Sequence, residues 1–162
     1  MARESMNLKV DLINDCGAQS IPNSIEIHDW VAKTLETVNL TDPVSICFRL
    51  VSPREVAELN LRYRNKKSPT NILSFPSSLP ESFQSVMPSQ HLGDIVICPR
   101  LIQSEAKEQE KSERAHWAHL VVHGTLHLRG FTHETESESK NMEKEEIKVL
   151  EKLGFPNPYL IG

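Results

Sequence analysis

The sequence predicts an α+β fold made of a single domain, with a small mixed four-stranded sheet packed with helices. Two observations lead to this prediction. Runs of apolar or alternating residues, typical of strands, are interleaved with segments whose apolar residues recur at helical spacing. The chain of 162 residues is long enough for one core, and neither an internal repeat nor a low-complexity linker divides it, so the domain is predicted to cover residues 1–162.

The first half of the chain supplies two strands and two helices. Residues 7–14 alternate apolar and polar side chains, and residues 44–52 are rich in β-branched residues, as strands are. Between them, residues 25–38 carry apolar side chains at helical spacing. A second helix is predicted from residue 53 to about residue 63, because a capping-box pattern, Ser-Pro-Arg-Glu, stands at its start.

Two short strands follow, at residues 71–75 and 93–99, and the Pro- and Ser-rich segment between them predicts a long surface loop. A helical region opens at Pro99. It is strongly charged between residues 105 and 114, where we expect solvent exposure. It is much more apolar between residues 115 and 128, where we expect a buried helix.

The last helix is predicted to start at a second capping box, Thr135 to Glu138, and to end at Gly154 just before Pro156. It is amphipathic and acidic. The predicted order of elements is therefore β-α-β-α-β-β-α-α. The order of the strands within the sheet does not follow from this pattern.

Composition excludes several classes of protein. The formal net charge of −4 argues against a protein that acts mainly by non-specific nucleic-acid binding. Cys16, Cys47 and Cys98 are dispersed and odd in number, which does not indicate a disulfide framework. The first residues lack the apolar core of a signal peptide, and no apolar run approaches the roughly 20 residues of a membrane span. We therefore expect a cytoplasmic protein with no membrane partner.

The motif that most clearly indicates a metal site is HGTLHLRGFTH, residues 123–133. Its histidines follow the spacing H-x-x-x-H-x-x-G-x-x-H. His123 and His127 are four residues apart, so they share one face of the predicted helix. Two imidazoles so placed can share one metal ion, each at about 2.0–2.1 Å. Metalloproteases of the metzincin type use this spacing, and we expect a zincin-like metal helix here.

The third ligand has to come from another place along the chain. His119 lies one turn before His123, but about 12 Å of helix rise separates it from His127, too far for three rings to converge on one ion. His133 is better placed, because Gly130 can take the left-handed conformation that ends a helix and turns the chain back. The predicted metal ligands are therefore His123, His127 and His133.

Three neutral histidines leave a fourth position for water or substrate, which is typical of a catalytic site. Zinc is the predicted ion, and nickel, copper or iron could bind the same ligands. The general base of the proteases is missing, because Gly124 follows the first histidine. Glu134 could reach the site, or it could equally cap or flank the next helix. His116 and His119 are predicted to pack or to support the ligands, and His119 could orient one of them.

A local basic cluster stands out on this acidic chain: Arg62, Arg64, Lys66 and Lys67. These cations could simply be solvated at the end of a helix, where they interact favourably with its dipole. They could also form an anion-binding lip, since guanidinium can clamp a phosphate with two hydrogen bonds. A metal site that lacks a peptidase base and faces such arginines favours phosphodiester chemistry.

Three sequence blocks resemble the YbeY family of bacterial endoribonucleases. The family pattern HGxLHLxGxxH is matched by HGTLHLRGFTH at residues 123–133. The pattern LNxxYRxKxxPTxVLSF is matched by LNLRYRNKKSPTNILSF at residues 59–75, and LGDIVI stands at residues 92–97. The blocks cover most of residues 59 to 134, whereas the N-terminal third is similar only in general character.

The resemblance implies a zinc-dependent endoribonuclease specific for single-stranded RNA. It implies a role in ribosomal RNA maturation, especially at the 3′ end of 16S RNA, and in ribosome quality control, with the small ribosomal subunit and ribosome-associated proteins as partners and no DNA substrate. It also implies zinc ligation by the three histidines of the motif, and it gives Arg64 the key catalytic or substrate-binding role. The family often has Asp where this chain has Asn71, so position 71 receives no catalytic role.

Two other functions fit part of the pattern. A zinc peptidase or another metal-dependent hydrolase is supported by the histidine spacing alone, and Gly124 weighs against it. A non-catalytic ribosome-assembly factor with structural zinc would need no fourth-site water. For the endoribonuclease, the sequence leaves open whether metal-bound water or the RNA 2′-hydroxyl is the nucleophile.

Overall fold

Four strands form one mixed sheet in the computed structural model, which describes residues 7–64, 71–77 and 90–160. The strands are β1 (Leu8–Asn14), β2 (Val44–Leu50), β3 (Ile72–Pro76) and β4 (Gln90–Ile97). Their order is β1-β2-β4-β3, with β1, β2 and β4 parallel and β3 antiparallel to β4 at the edge. The predicted α+β fold with a mixed four-stranded sheet is confirmed.

The described residues contain five helices. They are α1 (Ser24–Thr37), α2 (Pro53–Arg64), α3 (Pro99–Glu108), α4 (Glu113–Leu128) and α5 (Glu136–Leu153). The side chains predicted to start helices do so: Thr135 and Glu138 form a reciprocal capping box, and the Ser52 hydroxyl accepts the N–H of Glu55 at 3.2 Å. None of these helices is long and apolar enough to cross a membrane.

The region after Pro99 differs from the sequence prediction, because it forms two helices rather than one. The chain leaves α3 through Glu110, whose φ of 53° is incompatible with a continuing helix. Ser112 then caps α4, and its hydroxyl accepts the N–H of Ala115 at 3.2 Å. The apolar spacing on either side is helical, so periodicity alone did not reveal the short break.

The charged segment at residues 105–114 is mostly exposed, as predicted, but the prediction is wrong for Glu105, which is half-buried. Its Oε1 accepts hydrogen bonds from His116 Nε2 and Asn71 Nδ2, both at 2.9 Å. The backbone carbonyl of Asn71 also accepts the N–H of Cys98 at 3.0 Å. Asn71 therefore ties the start of β3 to α3 and β4. An Asp at this position would set a second carboxylate against Glu105.

Helix α4 is the central helix of the fold. It contacts β3 and β4 of the sheet as well as α1, α3 and α5. Ten of its residues are buried, among them Trp117 and Val121. A helix buried on most sides belongs to the core rather than the surface. The opposite face of the sheet carries a smaller apolar cluster, which includes Val56 of α2 and Leu73 of β3.

Two glycines allow α4 to lie close to the sheet. A Cβ at Gly124 would lie 3.0 Å from Ile72 Cδ1 and 3.1 Å from Ile95 Cδ1. Gly93 has a φ of 153°, and a Cβ there would lie 2.3 Å from the carbonyl oxygen of Phe75 and 2.8 Å from Leu128 Cδ2. No side chain fits at Gly93, so the end of α4 packs directly on the backbone of the sheet.

Candidate metal centre

Helix α4 presents His123 and His127 to the same side, one helical turn apart. Their Nε2 atoms are 3.1 Å from each other, and their ring centroids are 4.5 Å apart. Two nitrogens bound at about 2.05 Å to one tetrahedral ion would be separated by about 3.3 Å. The separation of the two Nε2 atoms therefore suits a pair of ligands on one ion.

The turn after α4 brings the third histidine to this pair. Gly130 has a φ of 95°, and the N–H of Phe131 reaches back to the carbonyl of Leu126 at 3.1 Å while that of Gly130 reaches His127 at 3.0 Å. This is a Schellman motif, which ends the helix and reverses the chain. The ring centroid of His133 then lies 5.0 Å from that of His127.

The three predicted ligands converge: one nitrogen from each of His123, His127 and His133 lies within 4.8 Å of the others. His133 is exposed, so the cluster opens to solvent on that side. A neighbouring cleft of about 200 Å³ is lined by His123, His133, Ser139, Met142, Glu143, Glu146 and Tyr159. These histidines could bind a metal ion with a fourth position left accessible.

The electrostatics of the cluster favour the neutral ligands that a metal requires. Burial and the neighbouring His123 and His133 lower the pKa of His127 from its ordinary value of 6.5 to about 4. His127 is therefore neutral at pH 7. Two Nε2 lone pairs facing each other at 3.1 Å would repel, unless a proton or a cation lies between them. The donor set thus fits a bound transition-metal ion.

Sequence reasoning missed a buried carboxylate behind the cluster. Glu146 of α5 is completely buried, and its Oε2 accepts a hydrogen bond from His123 Nδ1. Burial raises the pKa of Glu146, but hydrogen bonds from His119 and His123 outweigh that effect and lower the pKa to about 2. Glu146 lies on an acidic amphipathic helix, where one more glutamate does not stand out. The signal that could have found it is its place among the apolar residues of the buried stripe.

Tyr159 and His119 complete the surroundings of this carboxylate. The Tyr159 hydroxyl donates to Glu146 Oε1, and His119 Nε2 lies 3.4 Å from the same oxygen. Burial and the contact with Glu146 raise the pKa of Tyr159, so its hydroxyl remains a donor. His119 therefore supports the cluster indirectly, through Glu146 and Tyr159. This refines its predicted role, which was to support or orient a ligand.

Other residues singled out in the sequence lie elsewhere. Glu134 is exposed and does not line the cleft beside the histidines. His116 is buried and hydrogen-bonds Glu105, which agrees with a packing role. Arg64 is the last residue of α2, but its side chain, together with all of Lys66 and Lys67, lies outside the described residues. Most of the predicted loop between β3 and β4 also lies outside them.

The metal-free protein is expected to lose stability as the pH falls from 7 to 5. The unfolded chain takes up a proton at His127 below pH 6.5, whereas the folded chain resists it down to about pH 4. Because His127 is only partly buried, we expect a loss of about 1 kcal/mol. His116, whose pKa burial also lowers, adds to the loss in the same direction.

A second loss of stability should follow at lower pH. Below pH 4.5 the unfolded chain takes up a proton at Glu146, whereas in the folded protein this carboxylate stays ionised down to about pH 2. Urea unfolding of chelator-treated protein at pH 7, 5 and 3 measures both steps. The groups facing His127 are His123, His133 and Glu146. A free energy of unfolding that stayed level between pH 7 and 5 would contradict the first step.

Fold and site together define the class of protein. The α+β domain has a mixed sheet, and its central helix carries two histidines of a cluster that could hold a metal. A glycine turn reverses the chain and brings the third histidine, and the cluster is open to solvent on one side. This arrangement is typical of metal-dependent hydrolases rather than of structural metal sites, which are closed.

Comparisons with known proteins agree with this class and narrow it. The family model described as "Endoribonuclease YbeY" matches residues 14–154. An endoribonuclease YbeY of Nitrosococcus oceani is 48% identical over 140 residues, covering 86% of this chain and 89% of the relative. One of Xylella fastidiosa is 42% identical over 160 residues, covering 99% and 98%. The chain belongs to the endoribonuclease YbeY family.

Family membership confirms the predicted enzyme class, a nuclease, with an endoribonuclease role and RNA as the substrate class. Among solved structures, the solution structure of TM1509 from Thermotoga maritima matches with a TM-score of 0.55 and 23% identity, covering 91% of each chain. At that identity the likeness concerns the fold alone.

Proposed function

We propose that this protein is a zinc-dependent endoribonuclease that cuts single-stranded RNA in the cytoplasm and acts in ribosomal RNA maturation. The observation that carries the metal dependence is the convergence of His123, His127 and His133 within 4.8 Å. In a chain of the endoribonuclease YbeY family, such a cluster is best explained as the site that handles the scissile phosphate.

His123, His127 and His133 would hold the ion. A zinc ion bound to three neutral histidines supplies Lewis-acid polarisation of a phosphoryl oxygen. The protein contributes the geometry: helix α4 fixes two rings, the turn at Gly130 brings the third, and the exposed side admits the substrate. The donor set suits zinc, and it is the reason that zinc is preferred here over calcium or magnesium, which take oxygen ligands.

Arg64 is proposed to bind the phosphate beside the metal. It ends α2, and α2 contacts the edge strand β3, which also contacts α4. Next to Arg64, the ring of Tyr63 packs edge-on against that of Phe75 in β3, with centroids 5.3 Å apart. The Ser74 hydroxyl, one residue earlier in β3, donates to the Gly124 carbonyl of α4 at 3.4 Å. Strand β3 thus links the end of α2 to the metal helix.

An in-line attack on the phosphate requires a nucleophile, which is either water or the RNA 2′-hydroxyl. The ends of the products distinguish them, because a 2′,3′-cyclic phosphate excludes simple attack by water. We expect cleavage of a defined single-stranded RNA, little cleavage of the same sequence as a duplex, and no cleavage of peptides. Peptide cleavage without RNA cleavage would overturn the proposal in favour of a zinc peptidase.

Replacing Arg64 with Ala is expected to slow RNA cleavage by about 100-fold or more while zinc remains bound. The physical reason is the loss of a charged contact to the phosphoryl oxygens, which is worth about 3 kcal/mol in the transition state. Single-turnover cleavage and zinc content are the measurements. Arg54→Ala is the matched control, because Arg54 is exposed on the same helix and pairs with Glu58 at 3.5 Å.

The role in maturation of the 16S RNA 3′ end and in ribosome quality control, with the small ribosomal subunit as partner, is part of the proposal. Its test is RNA maturation in cells that depend on this chain. Unprocessed 16S 3′ ends are expected with Arg64→Ala and not with Arg54→Ala. Normal 3′ ends with both variants would overturn the proposed role in 16S RNA maturation. The cleavage assay tests the nuclease activity separately.

A further inference from the structure

Glu146 is the only fully buried carboxylate among the described residues, and it contacts the histidine cluster through His123. Its exposed fraction is 0%, although glutamate is almost never fully buried without partners. It lies on the buried stripe of α5, with Met142 one turn before and Val149 and Leu150 after it. A charge in this place costs free energy unless its surroundings compensate it.

Three donors surround this carboxylate. His123 Nδ1 donates to Oε2, and the Tyr159 hydroxyl donates to Oε1. His119 Nε2 lies 3.4 Å from Oε1 and 3.3 Å from the Tyr159 hydroxyl oxygen, so it reaches both. Because an ionised carboxylate only accepts hydrogen bonds, the proton of the His123–Glu146 contact belongs to Nδ1 of His123.

This proton decides which nitrogen of His123 can bind a metal. A neutral imidazole has one N–H and one lone pair, so a proton on Nδ1 leaves the lone pair on Nε2. That Nε2 faces the Nε2 of His127 at 3.1 Å. The carboxylate therefore selects the tautomer and fixes the ring orientation at the same time.

We propose that Glu146 is a positioning residue, which holds the Nε2 lone pair of His123 toward the metal position while Tyr159 and His119 hold Glu146. This inference rests on the proposed metal site and assigns a role to residues outside the predicted ligand set. Tyr159 also lies beyond residues 14–154, the part of the chain that the family model matches.

A competing arrangement is a second metal site at His119, His123 and Glu146, whose ligand atoms also lie within 4.8 Å of one another. Such a site would require His123 to give up its Nδ1 proton and bridge two ions. It would also displace the hydrogen bonds that saturate the carboxylate. The hydrogen-bonded arrangement needs neither change, so we favour positioning.

The test is zinc affinity, measured by competition with a chromophoric chelator on protein whose fold is verified by circular dichroism. Glu146→Gln keeps the shape of the side chain and removes its charge, and it is expected to weaken zinc binding about 10–100-fold. The matched control is Glu145→Gln, one residue earlier on α5, where the carboxylate pairs with Lys148 Nζ at 3.5 Å. The control should bind zinc as wild type does.

A second measurement needs no variant at the carboxylate. Nitrogen-15 NMR of the histidine rings in the metal-free wild-type protein reports the tautomer of each neutral histidine. His123 is expected to carry its proton on Nδ1, and a proton on Nε2 would overturn the proposal even if Glu146→Gln did not fold. A merely structural contact would not reproduce the loss of zinc affinity in a folded variant.

The outcomes separate this inference from the proposed function. If wild-type protein binds no zinc, both fail. If it binds one ion and folded Glu146→Gln binds it with equal affinity, only the positioning role fails. Two ions per chain in the wild type, reduced to one in the Glu146→Gln variant, would make Glu146 a ligand and overturn the positioning role. One ion, bound about 10–100-fold more weakly by the variant, supports it.

Discussion

Replacing His127 with Ala is expected to remove the bound metal and to slow RNA cleavage by about 1000-fold or more. The side chain supplies one of three nitrogens that lie within 4.8 Å of each other, and the two that remain form an incomplete site. A metal ion contributes several kcal/mol of charge stabilisation in the transition state, and each 1.36 kcal/mol corresponds to a tenfold change in rate.

Metal content by elemental analysis and single-turnover cleavage of a defined RNA measure this prediction. His91→Ala is the control, because His91 is a partly exposed histidine at the start of β4 that contacts Ser45 and Asp94 and is not a member of the histidine cluster. Treating the wild type with a chelator should cause the same loss, reversed by zinc. A folded His127→Ala variant that still supports RNA maturation would favour the non-catalytic assembly factor.

Introducing the missing protease base, Gly124→Glu, is expected to unfold the protein rather than to create a peptidase. The Cβ would lie 3.0–3.1 Å from the Ile72 and Ile95 side chains, between α4 and the sheet. A carboxylate placed there has no partner, and we expect it to cost at least about 4 kcal/mol of unfolding free energy. Urea unfolding and a peptide-cleavage assay are the measurements.

The control for this variant is Gly124→Ala, whose single methyl group faces movable isoleucine ends. Its gain in helix propensity, about 1 kcal/mol, should roughly offset the tight contacts. A Gly124→Glu protein as stable as wild type would contradict the packing argument. Peptidase activity in it would show that position 124 can reach the metal after all.

Local patterns in the sequence predicted most of the elements, because periodicity and capping depend on neighbouring residues. The capping box at Thr135 and Glu138 and the turn at Gly130 both stand in the structure as expected. Strand order was not predictable, since the pairing of β2 with β4 depends on contacts far apart in the chain. The break at Glu110 escaped notice because helical spacing continues on both sides.

The candidate site divides along the same line. The approach of His123, His127 and His133 followed from helix geometry and one glycine, all within eleven residues. Glu146 and Tyr159 were missed because they approach His123 only through packing of α5 and the segment after it on α4. Nothing in a local window reports which polar residue of an amphipathic helix turns inward.

Helix α4 also limits how this enzyme can be altered by mutation. Its buried positions hold the core together, and the same helix carries two of the candidate ligands, His123 and His127, at half-buried positions. A library randomised over residues 113–128 should therefore yield few active clones. The inactive clones should fall into two groups, aggregated proteins and soluble proteins that lack metal. Few positions of the helix should tolerate substitution.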